Sequence, residues 1–130
     1  MPVYNLACSA PLADPVRRSV AQAITDTHCR LTAAPARFVN VVFLHGWPLP
    51  AGVDISAIGG VRKGGNRTPE SIEQLRRALK AEIAKAAAKQ EAQVEVALVG
   101  VPSAWVMEGG RVMPEPGEEG AWLAQEPAHG

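Results

Sequence analysis

Residues 54–101, DISAIGGVRKGGNRTPESIEQLRRALKAEIAKAAAKQEAQVEVALVGV, hold a complete strand–helix–strand unit. DISAIGGVR (54–62) reads as a strand, and KGGNR (63–67) as a glycine-rich turn. Thr68-Pro69 then opens a helix, with Thr as N-cap and Pro in the first turn. Ile72, Leu75, Leu79, Ile83 and Ala86 recur at helical spacing and give one buried stripe. Arg76, Arg77, Lys80, Lys85 and Lys89 lie on the other side as a solvated face. VEVALVGV (94–101) is the closing strand.

Working outward, the same grammar occurs earlier in the chain. VYNLAC (3–8) is a short strand, and Asp14-Pro15 opens a helix with Asp as N-cap. Val16, Val20, Ile24, Thr27 and Leu31 form its stripe, and the helix should fade near Leu31, before Pro35. RFVNVVFLH (37–45) is apolar on both faces and reads as a central strand covered on two sides. GWPLPAG (46–52) links the halves. The reading is α/β (α+β): tandem β-α-β units, about 2–45 and 54–101, in one domain spanning 1–130. They form a four-stranded sheet with two helices on one face and a C-terminal hairpin and extended tail (102–130). Right-handed crossovers make the strands within each unit parallel. Two helices cover one sheet face only, so self-association is expected. In the tail, Trp105, Met107, Val112 and Trp122 read as contacts for a neighbouring subunit.

Composition narrows the function. Thirteen basic residues balance 13 acidic ones over 130 residues, which argues against a nucleic-acid partner that needs a basic field. Apolar residues make up 47% but aromatics only 5%, so the core is aliphatic. Cys8 and Cys29 have no metal or redox spacing and read as thiols. No run approaches the roughly 20 apolar residues of a membrane span, and a cytoplasmic setting is the default expectation.

The start, Met1-Pro2, carries the chemistry. Removal of Met1 leaves Pro2 as a secondary amine, and an α-amino group has a pKa of about 7.7–8.0. Burial or nearby arginines lower that value, so Pro2 can act as a general base or acid.

MPVY (1–4), AITDTH (23–28), FVNVVF (38–43), GGVRKGGNRTPE (59–70) and MEGGRVMPEPGEEGAW (107–122) together carry a resemblance. The chain resembles the tautomerase superfamily (MIF-like fold), and within it the cis-3-chloroacrylic acid dehalogenase-like family, built on an N-terminal proline and trimeric tandem β-α-β units. The resemblance implies Pro2 as the catalytic amine, His28 as a substrate contact, and Arg62 and Arg67 as the pair that grips a carboxylate. It also implies Glu108 as the acid that handles water. The partners expected are a small carboxylate substrate and two further copies of the chain in a homotrimer, with no cofactor, metal, nucleic acid or membrane. There are departures. The turn between Arg62 and Arg67 is longer than the family spacing, and Ala97 stands where the dehalogenases carry a tyrosine that works with the glutamate on water. The favoured expectation is a proline-dependent tautomerase of a small enol or 2-oxo acid. Alternatives are a haloacrylate dehalogenase or hydratase at the same site, and a catalytically silent trimeric scaffold.

Overall fold

A computed structural model describes residues 2–65 and 67–125. The order is β1 (Val3–Cys8), α1 (Asp14–Thr32), β2 (Asn40–His45), β3 (Ile55–Arg62), α2 (Pro69–Ala87) and β4 (Val94–Val101). A short hairpin, β5 (Met107–Glu108) with β6 (Arg111–Val112), and a helix α3 (Glu119–Ala124) follow. The main sheet runs β2-β1-β3-β4. Strands are parallel within each unit, and β1 joins β3 antiparallel across the units.

Alternation along the strands decides which side is covered. Tyr4, Leu6 and Cys8 of β1, Ile55 and Ala57 of β3, and Val94 and Val96 of β4 point into one core. Val20 and Ile24 of α1, and Leu75, Leu79 and Ile83 of α2, close over them. Burying each such aliphatic side chain contributes roughly 1.5–3 kcal/mol. At the start of α2 the Thr68 hydroxyl accepts from Ser71 N at 3.1 Å, and Ser71 Oγ accepts from Thr68 N at 2.8 Å. Two backbone donors at the helix start are thus satisfied reciprocally.

Three expectations need correction. The N-cap of α1 is Ala13, not Asp14, and it makes no side-chain cap bond. Asp14 lies inside the first turn, where its carboxylate accepts from Arg18 at 2.7 Å and Arg17 at 3.4 Å and complements the helix's positive end. RFVNVVFLH is an edge strand rather than a central one. It begins at Asn40, after a 3-10 turn at Ala36–Phe38, and in the sheet order it neighbours β1 alone. The described part of the tail is not extended throughout, because α3 forms after the Pro/Gly segment, and residues 126–130 lie outside the described residues.

The sheet face away from the helices is apolar and open. Val42 and Leu44 are each 43% exposed, Ile58 52% and Val99 53%. β2 is apolar on both sides because one side meets the core and the other belongs to this open face.

Candidate functional site

Pro2 directly precedes β1 and is buried. Two residues on, Tyr4 shares its strand face and lies fully buried across the neighbouring strand at Gly59, its register partner. A Cβ at Gly59 would come within 2.4 Å of the Tyr4 ring, so glycine is needed there to admit it. The Tyr4 hydroxyl lies 2.7 Å from His28 Nδ1, and the rings meet edge to face with centroids 5.7 Å apart. His28 falls on the inner stripe of α1, one turn after Ile24, and is fully buried.

Burial first, and then the positive charge of Arg67, lower the His28 pKa to about 4. The imidazole is therefore neutral near neutral pH. Burial raises the Tyr4 hydroxyl well above the ordinary phenol range, so it remains a proton donor. Among the described residues His28 Nε2 is buried without a hydrogen-bond partner.

The depressed His28 pKa has a measurable consequence. Between the ordinary value of 6.5 and the folded value near 4, the unfolded chain binds more protons than the folded one. Stability attributable to this group should thus fall as pH drops through that window, by up to about 3 kcal/mol. Denaturant titrations across the window should show this slope, and His28→Gln should flatten it. An unchanged slope in the variant would assign the acid sensitivity elsewhere.

Arg67 reaches the site from the turn between β3 and α2. Gly64 and Gly65 have φ of +107° and +61°, values that favour glycine, and Arg67 N donates to Gly64 O at 3.2 Å. Arg67 Nε is buried and has no partner among the described residues. Burial, then the neighbouring Arg62, lower its pKa. With Thr32, Ala33, Pro116, Gly117 and Glu119 it lines a cavity of about 260 Å³. A cation held there, next to a helix N-terminus, suits an anionic group.

Arg62 sits differently. It is 2% exposed, donates to the Pro114 carbonyl and pairs with Glu119 at 2.6 Å. Burial works against ionisation of Glu119, but the bond from Arg62 and the Gly117 N–H outweigh it and hold the carboxyl below its ordinary range. Of the two arginines read from the sequence, one therefore already grips a carboxylate of its own chain. Glu108 lies half-buried on β5, opposite Arg111. Ala97 is exposed on the open face, opposite Ile58, away from Tyr4 and His28.

Two participants escaped the sequence reading. Tyr4 had a signal: it is the chain's one tyrosine and stands two positions after Pro2, on the same strand face. Glu119 had no local signal, since its partner is 57 residues away. Trp122, expected to face a neighbour, is engaged within the chain. It packs edge-on against Phe38, lies under Arg111 at 4.1 Å, and donates to Val112 O at 2.8 Å.

No protein-family model matches the chain, and no curated protein matches it by sequence. Solved structures do. The crystal structure of N1, a member of the cis-3-chloroacrylic acid dehalogenase family, is 27% identical with a TM-score of 0.83, covering 96% of this chain and 92% of that one. Native Ps01740 is 31% identical with a TM-score of 0.67, over 82% of this chain and 99% of that one. A fused 4-OT asymmetric trimer, at 19% identity and a TM-score of 0.73 over 85% and 94% of the two chains, shares the fold. The chain has a tautomerase-superfamily fold, of the cis-3-chloroacrylic acid dehalogenase-like kind.

Among the described residues no helix is long and apolar enough to cross a membrane.

Proposed function

We propose that the protein is a proline-dependent tautomerase of a small enol or 2-oxo carboxylic acid. The observation that carries this reading is the buried, neutral Tyr4–His28 pair beside Arg67, on the strand face that Pro2 shares. With Met1 removed, the Pro2 nitrogen takes the proton of the enol hydroxyl as the carbonyl forms. It then returns a proton to the adjacent carbon, so the substrate isomerises with no net loss of atoms. Arg67 holds the carboxylate and stabilises charge developing on oxygen, and His28 orients the substrate. Arg62 is already paired with Glu119, so in this reading Arg67 is the main carboxylate ligand.

The test is ketonisation of phenylenolpyruvate, followed by loss of the enol absorbance, on protein whose intact mass shows Met1 removed. No acceleration over buffer would end this reading. Arg67→Ala should raise KM and lower kcat/KM about 30- to 150-fold, equivalent to about 2–3 kcal/mol for a lost charged contact. Unaltered kinetics in that variant would mean the carboxylate is held elsewhere.

A second reading, hydrolytic dehalogenation of a haloacrylate, draws on the likeness to N1. In it a protonated Pro2 assists water handled by Glu108, and halide release would be the signature.

The assembly proposed is a homotrimer. Val42, Leu44, Ile58 and Val99 form an apolar sheet face, and Trp105, Met107 and Val112 are 77%, 62% and 50% exposed on the tail. The fused 4-OT neighbour is described as a trimer, and a surface of this kind needs a partner. Light scattering should give three times the chain mass at micromolar concentration. A stable monomer would remove the assembly from the reading.

A further inference from the structure

His28 presents two nitrogens in opposite situations. Nδ1 faces the Tyr4 hydroxyl at 2.7 Å, while Nε2 is buried with no partner among the described residues. A neutral imidazole carries one proton, so one nitrogen donates and the other accepts. If Nδ1 carried it, the phenol hydrogen would be left without an acceptor in a fully buried position, and burying an unpaired donor is costly. If Tyr4 donates instead, the phenol and Nδ1 satisfy each other. The proton then resides on Nε2, and a single buried N–H remains for an incoming acceptor.

The substrate chemistry proposed above requires such a donor. A 2-oxo acid or its enol offers only oxygen acceptors in its carboxylate and carbonyl, and negative charge grows on the carbonyl oxygen as the enol forms. Arg67, whose side chain carries a buried Nε, is the cation that acts electrostatically on both His28 and Tyr4, and the same anion would feel its charge. We infer that Tyr4 is a positioning residue: its hydroxyl fixes the His28 tautomer so that Nε2–H donates to a substrate oxygen beside Arg67. His28 then acts as a neutral hydrogen-bond donor and takes no part in proton relay, which leaves the moving proton to Pro2. This inference rests on the tautomerase reading for its substrate, but the tautomer itself can be read without turnover.

The experiment is ¹⁵N NMR of histidine-labelled protein at neutral pH, free and with oxalate, a planar mimic of a 2-oxo acid enolate. The wild type should show Nδ1 as the bare nitrogen and Nε2 as the protonated one, with the Nε2–H resonance moving on oxalate addition. Tyr4→Phe keeps the ring and its packing but removes the donor. It should give a mixed tautomer signal and weaken oxalate binding about fivefold, the scale of one neutral hydrogen bond, with little change in thermal midpoint. A wild-type Nδ1–H tautomer overturns the inference whether or not any variant folds. So does a Tyr4→Phe protein that keeps the pure Nε2–H form, or an Nε2–H signal indifferent to oxalate. Loss of the tautomerase reading looks different: no ketonisation, with the Nε2–H tautomer and its response to oxalate intact.

Discussion

Pro2→Ala should remove most ketonisation of an enol 2-oxo acid, lowering kcat by about 100-fold or more, within the usual contribution of a positioned acid–base group. A primary amine replaces a secondary one there, and it is a weaker base in a different place. Wild-type protein should release little or no halide from 3-chloroacrylate, because addition of water requires the water to be held and partly deprotonated. The resemblance assigns that task to a carboxylate and a phenol together. By the same resemblance Ala97 would stand at the phenol's position, and it lies exposed on the open sheet face. Tyr4 does not replace it, since its hydroxyl is bonded to His28. Keto–enol transfer makes no such demand, because the substrate brings its own acidic hydrogen. Glu108→Gln should accordingly leave ketonisation nearly intact. Robust chloride release that disappears in Glu108→Gln would reverse the order of the two readings.

How far the sequence reaches depends on whether the signal is local. α2 is legible because Thr68-Pro69 marks its start and Leu75, Leu79 and Ile83 mark its inner face, all within a few turns. The β3–α2–β4 unit follows, since a parallel pair needs its crossover. β2 marks one limit. An all-apolar run carries the same signature whether its second face meets another layer of the chain or an open surface, and residue types do not tell these apart. Arg62 marks another. In sequence it equals Arg67 as a carboxylate ligand, yet its guanidinium is held by Glu119 and Pro114 from the far end of the chain. Asp14 shows competition within one turn: the same carboxylate could cap the helix or pair with Arg17 and Arg18, and the pairing prevails.

The tether between Arg62 and Glu119 should dominate the stability of the tail. With side chains 1% and 11% exposed, the pair is largely removed from water. Removing either partner leaves a buried charge uncompensated, which costs about 3–5 kcal/mol. Glu119→Ala should thus lower the unfolding free energy by that amount. Arg62→Met with Glu119→Leu should recover much of the loss, since no unpaired charge then remains and the volume is kept. The sign with pH follows from the lowered carboxyl: the pair's contribution is present above the ordinary carboxylate range and is lost as pH falls through the folded value. Acidification should therefore weaken the wild type more than the double variant. The kinetic arm separates two roles for the tether. Met113 is buried, and Glu115 and Pro116 crowd Gly64 and Gly65 of the turn that carries Arg67, so release of Glu119 should loosen that turn and raise KM for a carboxylate substrate. If Glu119→Ala instead lowers KM, Arg62 once freed is gripping substrate, and Glu119 is a competitor for the cradle before it is a strut. Equal stability of wild type and Glu119→Ala by denaturant titration would show that the pair contributes nothing to the fold.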